Sequence, residues 1–162
     1  MLIELAIWSL LIAIGVSDVR DNKISNKAVL LLMVIVTASV MFNSASDGLE
    51  HLYGGFVTFA VCFILYLFKV MAGGDVKLLA VLGGWLGPEN MWQAVPIIII
   101  AGGILGLFYL AQYIAASSVS LFELVKAYGL QKVTPGWKSK QPLVIPFAPA
   151  IVIGLAYYFY IH

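Results

Sequence analysis

The chain has 162 residues, 62% of them hydrophobic and 10% charged, with a formal net charge of +1 and a mean hydropathy of +1.02. A soluble core of this size cannot hide that much apolar surface, so a soluble globular protein is excluded and an integral membrane protein is indicated. The strict polar-apolar alternation of a membrane barrel is missing, the lone Cys62 excludes an internal disulfide and a multi-cysteine zinc site, and the net charge of +1 says little about partners, of which no nucleic acid is expected.

Leu2 to Val16 is apolar apart from Glu4 and Ser9. It has neither a basic n-region nor a small-residue cleavage site, so it reads as a retained first helix. Ser17 to Lys27 is a polar loop, Ala28 to Phe42 a second span, and Asn43 to His51 a turn-rich connection. A third span runs from Leu52 to Val70, with Lys69 at its end. The Ala72-Gly73-Gly74 break then leads into a fourth segment, Asp75 to Leu86. Its roughly 12 residues cover only about 18 Å of a hydrocarbon core about 30 Å thick, so a short helix shielded by protein and ending at Gly87-Pro88 is expected. The fifth span, Met91 to Ala116, contains Pro96 and the sequence Gly102-Gly103-Ile104-Leu105-Gly106. Ser117 to Gln141 is amphipathic and basic, and Leu143 to Ile161 is the last span. The expected fold is an all-α membrane bundle of about six transmembrane helices with helix four short, residues 1–162 making one domain.

The basic residues set the expected orientation. Arg20, Lys23 and Lys27 fall in the first loop, Lys69 and Lys77 flank the third, and Lys126, Lys132, Lys138 and Lys140 fall in the fifth, which accounts for all nine. The second and fourth loops carry Asp47, Glu50 and Glu89 but no Lys or Arg. Odd loops are therefore expected in the cytoplasm and both termini outside. This partition puts Asp18 and Asp75 on the same face of the membrane, at the end of the first helix and the start of the fourth.

A charged side chain near the bilayer interior costs up to roughly 2.5 to 3.5 kcal/mol on insertion scales, and such residues are functional by default. Two carboxylates brought together cannot both ionise cheaply, so one keeps a proton. The ionised member can then take a proton from water while the neutral one polarises a carbonyl, which is amide hydrolysis without a metal or a nucleophilic side chain. Gly73 and Gly74 permit unusual dihedrals and the close approach of another backbone, as an extended peptide substrate requires. Lys77 either tunes the pair or snorkels to the phosphate layer. The plainer alternatives are that Asp75 caps the fourth helix and that Asp18 is a solvated loop acid, with Asp21 competing for its role. A transporter would also use membrane carboxylates, to relay protons or bind cations.

Three patches carry a family resemblance. Asp18-Val19-Arg20-Asp21-Asn22-Lys23-Ile24-Ser25-Asn26 resembles the stretch of the type IV prepilin peptidases, which are GxGD membrane aspartyl proteases, where an aspartate is followed a few residues later by Ile-Pro-Asn. Gly74-Asp75-Val76-Lys77-Leu78 is similar to the family's G-D-x-K-L, and Ile145-Pro146-Phe147-Ala148-Pro149-Ala150 to the proline-rich run that opens its last helix. The likeness is greatest to the short forms of the tight-adherence and Caulobacter-type pilus systems. It implies catalysis by Asp18 and Asp75, with Gly73, Gly74, Lys77, Asn26 and Pro146 in supporting motif positions and no cofactor or metal. The implied substrate is a pilin-like precursor with a short basic leader, cut at the cytoplasmic face of the inner membrane just before its hydrophobic helix. Two departures stand out: Ala72 replaces the first glycine of G-x-G-D, and Ser25 the usual proline. The first loop is also too short for the cysteine-bearing insert of longer members that is associated with N-methylation, so methyl transfer is not expected.

The remaining features read as structural. Gly83, Gly84, Gly87, Gly102 and Gly106 have spacings for close helix contact. Pro146 and Pro149 shape the start of the last span. Asp47, Glu50 and His51 as a metal site, or Cys62 with His51 as a nucleophile pair, compete with an exposed turn beside Gly48 and with separate locations. Leu121, Phe122, Leu124, Val125 and Tyr128 suit a helix lying on the membrane surface. Trp8, Trp85, Trp92 and Trp137 are expected at interfaces. Against the peptidase stand a carboxylate-dependent transporter, for which no inverted repeat is visible, and a noncatalytic partner in pilus assembly.

Overall fold

The computed structural model describes residues 2–43, 48–116 and 145–162, and all regular secondary structure among them is helical. Five helices follow one another: α1 (Leu2–Asp21), α2 (Asn26–Asn43), α3 (Gly48–Leu67), α4 (Gly73–Ala116) and α5 (Ala148–Ile161). Three stretches, Leu2–Asp21, Gly48–Leu67 and Gly73–Gln112, are long and apolar enough to cross a membrane, while α2 and α5 are shorter apolar helices. The expected surface helix around Leu121 to Tyr128 and the expected interfacial Trp137 lie outside the described residues. The described parts of Met1–Gly102 and Pro146–His162 form one compact unit, and those of Gly103–Ile145 a second.

α1 runs further than its apolar core. Its buried positions Ile7, Leu11, Ile14, Gly15 and Asp18 recur at helical spacing on one face, so the polar residues after Val16 prolong the helix instead of opening the loop. The helix stops at Asn22, which takes a left-handed conformation (φ 49°) and donates its N–H to the Asp18 carbonyl at 2.9 Å. That is a single-bond left-handed cap, with asparagine in a role it tolerates well. On α2, Val29, Leu32, Val36 and Ser39 are buried. On α3 the buried stripe is Gly54, Thr58 and Cys62, four residues apart and all small, which lets the neighbouring helix come close. α3 ends in a Schellman turn, with Lys69 N–H on Tyr66 O at 2.9 Å and Val70 N–H on Leu65 O at 3.0 Å, and Lys69 in the left-handed region (φ 57°).

The long α4 is two helices in succession. Gly87 is non-helical (φ 79°, ψ 171°), a conformation that L side chains rarely adopt, and it separates residues 73–86 from 88–116. The expected short fourth helix and its Gly87-Pro88 end are therefore present, while the described residues form five helices, α1 to α5, where about six spans are expected. Pro88 has no N–H to return to the Gly84 carbonyl four residues back. His51 on α3 fills that vacancy, its Nδ1 3.0 Å from Gly84 O; a carbonyl only accepts, so Nδ1 carries the proton. α3 touches α4 at this break backbone to backbone. A Cβ added to Gly54 would sit 2.6 Å from Gly83 O and 2.8 Å from Pro88 N. His51 is thus a fastening between helices and does not stand on an exposed turn.

Among the described residues the largest side chains buried completely are Ile7, Leu11 and Ile14 of α1, Leu32 of α2, Leu78 and Leu82 of α4, and Ile151 and Leu155 of α5. None comes from α3, which packs through its small residues. Lipid tails are as apolar as leucine, so close packing holds these helices together more than transfer from water does. Trp8, Trp85 and Phe159 form an aromatic cluster with ring centroids 5.3 to 6.2 Å apart. Trp92, in contrast, is exposed. In the second unit, residues 103–116 continue α4 with Ile104, Leu107 and Phe108 exposed.

Candidate active site

Among the described residues only two charged side chains are buried, Asp18 at 6% exposure and Asp75 at 7%. They come from different elements. Asp18 sits in the last turn of α1, on the stripe that carries Ile7, Leu11 and Ile14 into the core, so the helix that buries those residues buries the acid too. Asp75 sits in the first turn of α4, followed at once by buried Val76, Leu78 and Leu79. The two carboxylates are near enough to act on each other electrostatically. Asp21, the alternative partner, is exposed at the very end of α1.

The start of α4 shows why Asp75 is held. Val76 N–H bonds to Ala72 O at 3.3 Å, which makes Ala72 the N-cap and Asp75 the third helical residue. Its carboxylate accepts the Ala72 N–H, reaching back as the third residue of a capping box does. Asp75 is therefore not the N-cap that the plainer alternative made it: Ala72 holds that position, and Asp75 accepts the N-cap's own amide while lying buried beside a second acid.

Ala72, Gly73 and Gly74 all keep negative φ, so the unusual dihedrals expected of the glycines are not used, and alanine at the first motif position carries no backbone strain. What the glycines contribute is the space of a missing side chain. A Cβ on Gly74 would lie 3.0 Å from Ile24 Cβ, and one on Gly73 would lie 3.5 Å from Tyr66 Cε2. Ile24 of the short loop 22–25 thus lies directly over Gly74.

Lys77 and Asn26 are brought together. Lys77 Nζ donates to Asn26 Oδ1 at 2.9 Å, tying the first turn of α4 to the first residue of α2 on the exposed rim. Arg20, Lys23, Lys27 and Lys69 are exposed as well. Pro146 is buried just before α5. Sequence reasoning missed three neighbours of the acids. One is the backbone N–H of Ala148, 3.0 Å from Asp18 Oδ2 in a buried bond. The second is Ile24, which lies on Gly74, the residue before Asp75. The third is Cys62 of α3, within electrostatic reach of Asp75. A signal for the first was legible: Phe147, the N-cap of α5, has no side-chain acceptor, so the amides behind it need one from elsewhere. Among the described residues, no group of three or more His, Cys, Asp or Glu could hold a metal ion.

The sequence profile described as the type IV leader peptidase family matches residues 5–111. Curated relatives are named prepilin leader peptidase/N-methyltransferase. That of Stutzerimonas stutzeri is 32% identical over 108 residues, 61% of this chain and 35% of its own length. That of Aeromonas hydrophila is 38% identical over 78 residues (37% of this chain, 26% of its own), and that of Pectobacterium carotovorum subsp. carotovorum 29% identical over 112 residues (64% and 38%). The chain thus spans at most 38% of the length of these relatives. No solved structure matches it.

Proposed function

The chain belongs to the type IV leader peptidase family, and from that premise we propose that it is a membrane-embedded aspartyl endopeptidase in which Asp18 and Asp75 hydrolyse one peptide bond of a pilin-like precursor. The observation that carries this reading is the pairing of two buried carboxylates, from the end of α1 and the start of α4, that interact with each other inside an apolar bundle. Burying two like charges together is costly, and sharing one proton relieves the cost.

In the reaction the ionised carboxylate takes a proton from a water molecule as its oxygen bonds to the scissile carbonyl carbon. The protonated carboxyl donates to the carbonyl oxygen, giving a tetrahedral intermediate. Collapse breaks the C–N bond, the departing amine takes the proton that came from water, and the proton lent to the carbonyl oxygen returns. Which oxygen holds the shared proton at rest is a property of the pair. Gly73 and Gly74 leave room for substrate backbone beside Asp75 once Ile24 moves aside, and the Lys77–Asn26 bond closes the rim of that opening.

The substrate side of the reading is a precursor with a short basic leader on the cytoplasmic face, its hydrophobic helix lying in the inner membrane beside the enzyme. In this arrangement the odd loops are cytoplasmic, both termini are outside, and residues 1–162 form one six-span domain. The exposed cations around the site repel a basic leader, so exposed Asp21 helps receive it. Methyl transfer, the second activity in the relatives' names, is not part of the proposal, because α1 and α2 are joined by the short loop 22–25 alone.

The test is cleavage of a leader-bearing precursor by the purified protein in lipid nanodiscs. Asp18→Asn and Asp75→Asn are each expected to lower kcat by about 10²- to 10⁴-fold, the usual worth of a general acid or base. Wild-type cleavage by both folded variants overturns the proposal. Cation flux in liposomes that depends on both acids, with no cleavage, makes the protein a transporter.

A further inference from the structure

We propose that the backbone N–H of Ala148, the first amide of α5, is a positioning group that holds the Asp18 carboxylate in its reacting orientation. The inference rests on the two-aspartate reading above and adds a part of the chain outside both aspartate motifs.

The donor is constrained before Asp18 is considered. The first amides of any helix lack intrahelical partners, and in a membrane each one left unsatisfied costs several kcal/mol. Most helices meet this need with a Ser, Thr, Asp or Asn at the N-cap, but α5 has Phe147, whose side chain makes no cap bond. Pro149, the next residue, brings no N–H of its own. The first turn of α5 therefore presents the Ala148 amide without a local acceptor and with one rival donor removed. Ala148 is 0% exposed and Asp18 6%, and the N–H meets Asp18 Oδ2 at 3.0 Å. Water is thus a poor substitute for either partner.

The distance between them is set by rigid parts. One turn before Asp18, Gly15 faces the same start of α5, and a Cβ there would lie 3.5 Å from Val152 Cγ2 and 3.7 Å from Pro149 Cα. A larger side chain at Gly15 parts the two helices. On the other side the Phe147 ring lies against Gly102, where a Cβ would come within 2.7 Å of its Cε2. The turn is gripped between α1 and α4, and the amide cannot follow a carboxylate that rotates away. Oδ2 is thereby committed to the helix end, leaving Oδ1 as the oxygen available for the chemistry of the pair. A carboxylate free to rotate about χ2 offers that oxygen only part of the time, so the amide acts on kcat rather than on substrate binding.

The experiment replaces the Phe147–Ala148 amide by an ester, using cell-free translation with the α-hydroxy acid of alanine at position 148, which deletes the N–H and keeps the side chain. The control is the same exchange at Ile151, whose N–H closes the first turn on Phe147 O at 3.2 Å and does not touch Asp18. In the nanodisc assay the ester at 148 is expected to lose about 10- to 100-fold in kcat, the scale of one hydrogen bond to a charged group, with KM within about twofold. The ester at 151 keeps kcat near wild type. Undiminished kcat at 148, or equal losses at both positions, overturns the positioning role. If the ester at 148 does not fold, Gly15→Leu stands in: kcat falls where Gly15→Ala keeps it, and a folded, fully active Gly15→Leu overturns the proposal. Asp18→Asn in the same assay keeps the two claims apart. If it cleaves like wild type, the aspartate reading fails; if it is dead beside a fully active 148 ester, only the positioning claim fails.

Discussion

Two places in the bundle solve the same problem with opposite groups. At the Gly87-Pro88 break a carbonyl is left without its helical N–H, and His51 of α3 supplies a donor. At the start of α5 an amide is left without an acceptor, and Asp18 of α1 supplies one. Both are helix ends completed by a side chain from another helix, as an apolar solvent demands. Beside the first site Tyr158 donates to Asn90 Oδ1 at 3.1 Å, Asn90 donates to Leu86 O at 2.9 Å, and Trp85, two residues before Gly87, packs against the Trp8 and Phe159 rings. The second adds another buried acid, Asp75, and exposed cations around it. The break satisfies polar groups at little electrostatic cost; the dyad holds an electrostatic cost that only chemistry, in the proposed reading, explains.

The comparison breaks most visibly if acids and histidine are exchanged in role. Asp75→Asn is expected to lower cleavage by about 10²- to 10⁴-fold without lowering the denaturation midpoint, since an amide still accepts from Ala72 and like-charge repulsion is relieved. His51→Ala is expected to do the reverse. It orphans the Gly84 carbonyl, which costs about 1 to 3 kcal/mol, and leaves kcat of the folded fraction unchanged. Denaturant titration in detergent beside the cleavage assay reads both, and a His51→Ala protein of wild-type stability with lost kcat inverts the assignment.

Between these lies Gly54→Val. The added side chain meets backbone atoms of Gly83, Gly87 and Pro88 that cannot rotate away, and overpacking of this kind costs about 1 to 3 kcal/mol or more. It loosens the α3–α4 contact that carries both His51 and Cys62. A Gly54→Val protein as stable as wild type would mean that the helices do not approach so closely.

How much of this was legible follows the same division. The acids were, because a carboxylate in a long apolar run is conspicuous, and so was the Gly87-Pro88 end of the short helix. The length of α1 was not. Ser17 to Asp21 is polar enough to read as loop, yet Asp18 continues the stripe of Ile7, Leu11 and Ile14 at helical spacings of three and four, and burial follows the stripe instead of the average polarity. Gly73 and Gly74 permit unusual dihedrals but do not use them; among the described residues positive φ occurs at Asn22, Lys69 and Gly87, because helix ends, more than glycines as such, create the need for it. The bonds from His51 to Gly84 and from Ala148 to Asp18 span 33 and 130 residues, and no local pattern announces which distant side chain completes a helix end.

The smallest expected effect sharpens the contrast at the rim. Lys69 occupies the left-handed C′ position of the turn that ends α3, where glycine is the usual residue and any side chain costs up to roughly 1 kcal/mol. Lys69→Gly is therefore expected to stabilise the folded protein by a fraction of that amount, because glycine also loses more freedom on folding. If Lys69 serves only to anchor the turn near the phosphate layer, cleavage in nanodiscs of neutral lipid is unchanged. If its charge also acts on a basic leader, Lys69→Gly raises kcat/KM for a leader rich in lysine more than for a neutral one, and added salt, which screens an exposed charge within about 10 Å at 0.1 M, erases the difference. A Lys69→Gly protein that is less stable than wild type would show that the side chain, not the turn, holds this end of α3.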